Sequence, residues 1–178
     1  MEEEKSAAVM PANRRMQPAR QIHTIDPFYD GDSQILILGS FPSIKSREVG
    51  FFYGHPQNRF WKVTAAVFGE VPPASIEEKK VFLRKHHMAM WDTIRSCTIT
   101  GSSDSSIRDV VPNDIGEILS AADIREIYCN GATSYILFMK YIFPSTGRKP
   151  VKMPSTSPAN AAWNMDRLTE VWQRIRKE

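Results

Sequence analysis

A chain of 178 residues, 42% hydrophobic and 24% charged, has the length and composition of one ordinary globular domain with a sizeable core. Its apolar runs fall well short of the roughly 18–20 residues that span a bilayer. The opening stretch MEEEKSAAVMPANRRMQPARQ also lacks the apolar centre of a secretory signal, so a cytosolic protein with no membrane partner is expected. The net charge of +3 is compatible with a phosphate-bearing partner without being diagnostic of one.

Residues 1–24 are polar, Pro-containing and without periodicity, and are predicted to be a disordered leader preceding a single domain over 25–178. Arg14, Arg15 and Arg20 of this leader are either free to touch phosphates or simply solvated. The run Ile35-Leu36-Ile37-Leu38, closed by Gly39, predicts a strand buried on both faces, as in a parallel sheet. Pro56 to Gly69 predicts a mostly buried helix, with Pro56 in its first turn and Gly69 at its end. Ala74 to His87 predicts a charged amphipathic helix with Ser75 as N-cap and Glu78 as its capping-box partner.

Met88 to Trp91 predicts a second strand, and the Ser/Thr-rich stretch from Cys97 to Ser106 a loop. Asn113 is expected to cap a helix through Ala121. Glu126 to Cys129 predicts a third strand, followed by a helix to about Tyr141. Val151 to Met153 predicts a fourth strand. After a polar turn over Pro154 to Asn160, a helix from Asn160 to Arg176 is expected to bury Leu168, Val171, Trp172 and Ile175. Strands alternating with helices imply an α/β fold, a three-layer α/β/α sandwich with a mainly parallel four-stranded central sheet. Ligands of such folds bind at the carboxyl ends of the strands.

Two cysteines, Cys97 and Cys129, are too few and too far apart for a disulfide framework or a metal-binding pair, and read as buried reduced thiols. His86 and His87, adjacent in sequence, diverge on a helix or strand, so no metal site is expected.

Three groups of residues fall at the predicted strand ends. The first is Gly39-Ser40-Phe41-Pro42-Ser43, leading into Gly50-Phe51-Phe52-Tyr53-Gly54-His55-Pro56-Gln57-Asn58-Arg59-Phe60-Trp61. A glycine directly after a buried strand allows close backbone approach to a ligand. Hydroxyls such as those of Ser40 and Ser43 can hold a phosphate. Phe51, Phe52 and Tyr53 either stack on a ligand or pack beneath their loop, and packing is the reading favoured for Phe51 and Phe52. The second group is Asn130-Gly131, and the third is Met153-Pro154-Ser155-Thr156-Ser157-Pro158-Ala159-Asn160.

GFFYGHPQNRFWKV resembles the corresponding stretch of mismatch-specific uracil-DNA glycosylases, an aromatic and a spacer before His-Pro-x-Asn-Arg-Phe-Trp. With GSFPS and PSTSPAN it is still more similar to the hypoxanthine-DNA glycosylase (DNA-deoxyinosine glycosylase) family of the uracil-DNA glycosylase superfamily. The resemblance runs from about Gln34 to the final helix. It implies a monofunctional enzyme of base excision repair that flips a damaged nucleotide out of single- or double-stranded DNA and replaces the base with water at C1′. It implies no cofactor, a monomer, and association with the nucleoid if the source is prokaryotic.

The resemblance also assigns roles. Relatives carry Asp or Asn at the third position of the first motif to handle the water; here that position is Phe41, which cannot hydrogen-bond. Asn58 is the expected substitute, accepting from water; otherwise it is a first-turn residue bonded to local backbone. Phe41, Tyr53 and Asn130 are expected to bind the base, Tyr53 by stacking. Asn130 equally suits an Asn-Gly turn with no ligand. Ser40, Ser43, Ser155, Thr156, Ser157 and Pro158 are assigned to DNA phosphate or the wedge. Gly39, Pro42, His55 and Met153 are assigned to pocket support, and Arg59 to DNA phosphate or to bracing the loop. Met153 stands where relatives have His or Asn, which points away from uracil and towards hypoxanthine. The competing expectations are a mismatch-specific uracil or thymine glycosylase, a non-catalytic reader of damaged DNA, and a free-nucleotide-binding domain.

Overall fold

The computed structural model describes residues 16–176. In chain order its elements are β1 (Ala19–Ile22), β2 (Ile35–Gly39), α1 (Ile44–Val49), α2 (Phe60–Phe68), α3 (Ile76–Lys85), β3 (Met88–Asp92), β4 (Ile94–Ile99), β5 (Arg108–Pro112), α4 (Gly116–Ala121), β6 (Glu126–Asn130), α5 (Ala132–Tyr141), α6 (Phe143–Thr146), β7 (Val151–Met153) and α7 (Met165–Trp172). Four of the strands form a parallel sheet in the order β3-β2-β6-β7. Every residue of β2 is buried, as its apolar sequence demands.

Alternation along the strands divides the core. Ile35 and Ile37 face one side with Phe60, Trp61, Leu83, Leu168 and Trp172, from α2, α3 and α7. Leu36 and Leu38 face the other with Ile118 and Phe138, from α4 and α5. The result is the expected three-layer α/β/α arrangement, and its register brings Gly39, Asp92, Asn130 and Met153 to one carboxyl edge.

A second sheet was not expected. β1, β4 and β5 form an antiparallel ribbon in the order β1-β4-β5. Only Thr93 separates β3 from β4. Its N–H and hydroxyl both donate to the Gly39 carbonyl, at 2.8 and 3.0 Å, so β4 leaves the parallel sheet along the chain that follows β2. Beneath this ribbon Phe41, Ile94, Cys97 and Ile99 form a third apolar cluster.

The ribbon corrects several expectations. Ala19–Ile22, assigned to the leader, is a strand, because its backbone completes the ladder of β4. Arg20 is not free for phosphate: it donates to the Asp109 carbonyl at 2.5 Å and to Ser96 Oγ at 2.7 Å. Arg14 and Arg15 lie outside the described residues. The loop expected over Cys97 to Ser106 begins only after Ile99.

Helix starts also moved. α2 begins at Phe60 rather than Pro56, because Asn58 Oδ1 accepts from the Phe60 N–H and sets the first turn there. Asn164, not Asn160, caps α7, which is shorter than the predicted helix; Leu168, Trp172 and Ile175 are buried as expected, but Val171 is exposed. The capping box of Ser75 and Glu78 is present.

Asn113, expected as a helix cap, is buried, and its Nδ2 donates to the carbonyls of Asp92 (2.8 Å) and Ile94 (3.1 Å). It clasps both sides of the passage from one sheet to the other. Asn113→Ala leaves two buried carbonyls without that donor and is expected to cost about 1–3 kcal/mol in urea unfolding; a loss below about 0.5 kcal/mol would mean the clasp carries no weight.

Candidate active site

At the carboxyl edge of the parallel sheet lies a cavity of about 300 Å³, at the lower end of the range for small-molecule sites. The first motif forms one side of it through Gly39, Ser40, Phe41, Pro42 and Ser43. Tyr53, His55 and Asn58 form a second side, and Asn130 with Ser155, Thr156, Ser157 and Pro158 a third. Of the residues given a role from sequence, Met153 and Arg59 stand off this cavity, and Met153 is the one placed in the core. It is 1% exposed, packs in the core, and borders a wider neighbouring cavity of about 820 Å³. The support role assigned to it is a packing role.

Phe41 turns most of its ring away from the cavity into the third apolar cluster. The His23 ring meets it edge-on at 5.9 Å and the Arg47 guanidinium sits 5.5 Å from its centroid. Phe51 and Phe52 pack in the main core, as favoured. Tyr53 has φ +52°, an uncommon conformation for a residue other than glycine, and lies flat on Phe60 with ring centroids 4.2 Å apart. Among the described residues no group lies in full hydrogen-bonding geometry with its buried hydroxyl, though the Asn130 carboxamide is close enough to lower its pKa. Burial, then the neighbouring Asp92 carboxylate, pushes that phenol well above its ordinary pKa.

A chain of hydrogen bonds fixes the side chain of Asn58. Asn130 Nδ2 donates to Thr156 Oγ1 at 2.9 Å, and Thr156 Oγ1 donates to Asn58 Oδ1 at 3.0 Å. The same Oδ1 accepts from the Phe60 N–H at 2.9 Å. Both lone pairs of that oxygen are thereby engaged, so it has none left for water, contrary to expectation. Nδ2, with no hydrogen-bond partner among the described residues, is the group Asn58 has to offer. Asn130 is likewise engaged by Thr156, whose backbone N–H donates to Asn130 Oδ1 at 3.0 Å. Its carboxamide joins β6 to the third motif, and these two bonds leave one Nδ2 proton and one Oδ1 lone pair of a residue that lines the cavity.

The serines divide in the same way. The Ser40 hydroxyl donates to the Asp104 carboxylate at 2.9–3.0 Å, and Ser43 caps α1 by accepting from the Ser46 N–H. Ser43 also donates to Ser46 Oγ, and Thr156 is fully buried. These three are therefore committed within the protein and do not offer a hydroxyl proton to phosphate. Ser155 and Ser157 only accept, from the N–H groups of Ser157 and Ala159, and keep their protons for a ligand. Pro158 is exposed at the rim.

Arg59 braces the loop. Its guanidinium donates to the carbonyls of Thr156 (3.4 Å), Ser157 (2.9 Å), Asn160 (3.1 Å) and Trp163. His55 accepts from the Gln57 N–H at 3.1 Å and closes the turn before Asn58.

Sequence reasoning missed two carboxylates that border the cavity, Asp92 and Asp104. Asp92 is 5% exposed and pairs with His23 at 2.7 Å. It was within reach, as the one acidic residue closing a buried strand. Asp104 lies in a 3-10 turn, with its carboxylate crowded by protein although the residue borders solvent. Desolvation pushes its pKa up, opposed by the hydrogen bond from Ser40. Among the described residues no three His, Cys, Asp or Glu side chains are grouped to hold a metal, and no helix is long and apolar enough to cross a membrane.

Residues 27–176 match the uracil DNA glycosylase superfamily. The chain belongs to that superfamily. A hypoxanthine DNA glycosylase of Methanosarcina acetivorans is 31% identical over 150 residues, covering 82% of this chain and 92% of the relative. One of Methanosarcina barkeri is 28% identical over 110 residues, 61% of this chain and 70% of the relative. The solution NMR structure of a candidate uracil DNA glycosylase from Methanosarcina acetivorans superposes with a TM-score of 0.71 at 26% identity, covering 86% of this chain and 97% of that one. Within this superfamily domain the Asn130–Thr156–Asn58 chain is the element most open to a direct test. Thr156→Val keeps the side-chain shape but removes both hydrogen bonds of the hydroxyl, and is expected to destabilise the glycosylase domain by roughly 1–3 kcal/mol in denaturant unfolding. An unchanged midpoint would show the chain to be dispensable.

Proposed function

We propose that this chain is a monofunctional DNA glycosylase that removes hypoxanthine from deoxyinosine in DNA, acting in base excision repair. The observation that carries this reading is the Asn58 carboxamide, which borders the cavity with its oxygen engaged and its nitrogen without a partner. The hypoxanthine DNA glycosylases named among its relatives support the choice of base. So does Phe41, an apolar residue where uracil enzymes carry a hydrogen-bonding one.

In this mechanism the nucleotide leaves the stack and its base enters the cavity against Tyr53, whose ring is backed by Phe60. Ser155 and Ser157 take the flanking phosphates, and Pro158 fills the gap left in the duplex. As the C1′–N9 bond breaks, its electron pair passes to the base, and the purine gains negative charge on its ring nitrogens and O6. Asn58 Nδ2–H donates to that charge where it develops, which lowers the barrier without proton transfer to the protein. Asp104, on the exposed side of the cavity, opposes the positive charge of the oxocarbenium ion until water bonds to C1′; that water then sheds a proton to solvent, and the departing hypoxanthine anion takes one from solvent.

Purified protein is expected to leave abasic sites in deoxyinosine-containing duplexes, and failure to do so over hours at excess enzyme would sink the reading. Asn58→Ala is expected to slow single-turnover release by on the order of a hundredfold to a thousandfold, the usual loss for one oriented donor, with binding to abasic DNA retained. The rate should also rise with pH through a pKa above the ordinary aspartate value, because Asp104 must be ionised and its pKa is raised. Asp104→Asn should slow release and abolish that acid limb; a limb that survives unchanged belongs to another group.

A further inference from the structure

One side of the cavity carries a recognition element that the mechanism above does not use. Asp92 ends β3, and a Cβ on Gly39 would lie 2.4 Å from its Oδ1. Only glycine at this position lets the carboxylate swing across the strand end. The Tyr53 hydroxyl lies 3.3 Å from the same point, buried and beside the Asn130 carboxamide, so two polar atoms mark this end of the cavity. No hydrogen bond reaches Asp92 Oδ1 from any described residue, whereas Oδ2 is held by His23 Nε2 at 2.7 Å.

The direction of that bond can be assigned. The Ile25 N–H donates to His23 Nδ1 at 3.3 Å, so Nδ1 is the bare nitrogen and the ring proton sits on Nε2, donating to Asp92. Phe41 and Trp91 meet the imidazole edge-on, at 5.9 and 6.2 Å, and leave its side chain 3% exposed. His23 lies outside residues 27–176 that match the superfamily, so this ring is supplied by the segment that follows β1.

We propose that Asp92, oriented by His23, reads the base edge that deamination creates. Deamination turns an amino group beside a bare ring nitrogen into a carbonyl beside a ring N–H. An ionised carboxylate only accepts, so Oδ1 takes the new ring N–H and repels the lone pair on the ring nitrogen of the parent base. The ligand class is a base with a –CO–NH– edge: hypoxanthine, xanthine and uracil carry it, as do guanine and thymine, so the contact discriminates against the parent bases adenine and cytosine alone. His23 is a positioning residue: it holds Oδ2 so that Oδ1 faces the base. This inference rests on the glycosylase reading above and adds to it the discrimination of a deaminated base from its amino-bearing parent.

The test exploits the fixed imidazole proton. In Asp92→Asn, His23 Nε2–H holds the amide oxygen, which turns the –NH2 group towards the cavity and puts a donor where an acceptor is needed. Hypoxanthine release in single-turnover assays should fall by roughly a hundredfold or more, with affinity for abasic DNA, which has no base to read, unchanged. Adding His23→Phe to Asp92→Asn frees the amide to rotate, and release should recover at least tenfold over Asp92→Asn alone. A purely structural pair would show a further loss instead.

Wild-type rates in Asp92→Asn, a parallel loss of abasic-DNA binding, or no recovery in the double variant would each overturn the inference while leaving the glycosylase reading intact. A wild-type protein inactive on every deaminated base would remove that reading, and this one with it.

Discussion

Thr156 has one hydroxyl proton, and much of the site's geometry depends on where it goes. Because Oγ1 accepts from Asn130, the proton is directed to Asn58 Oδ1, and because the Phe60 N–H takes the other lone pair, the carboxamide can turn only one way. A threonine buried to 0% exposure thus couples the end of β6, the third motif and the start of α2. The polarity of Asn58 towards the cavity is a property of this chain of bonds rather than of the asparagine alone.

The same logic governs the first motif. Where a hydrogen-bonding residue is usual, Phe41 instead completes the apolar cluster beneath β4, with His23 at its edge and Arg47 over its ring. The phenyl ring is part of the wall that keeps His23 dry. Asp92 also borders this end of the cavity, and its carboxylate fits only because residue 39 is glycine.

Much of the parallel layer was legible in the sequence, because Ile35 to Leu38 has no polar residue and a strand of that kind can be buried only on both faces. Local signals such as Ser75 with Glu78 were equally readable, since both partners lie within one turn. The second sheet was not. Its strands carry Arg20, Gln21, Ser96, Thr98 and Asp109, and β1 joins β4 across more than 70 positions of the chain. The cavity was visible through its motifs, and bracing of the loop was one of the two readings of Arg59, but Asn113 had only a local reading as a cap. The groups that Asn113, Arg59 and Asn130 satisfy lie far along the chain, where no local pattern reveals them. Asp92 was overlooked because its partner His23 fell in a segment read as tail.

Arg59 ties down the loop from Thr156 to Trp163 through four carbonyls. The rim segment bearing Pro158 is therefore shaped before any duplex arrives, and its conformational freedom has already been surrendered during folding. Whatever binds beside this rim meets a preformed surface, so no cost of ordering the loop is subtracted from its affinity.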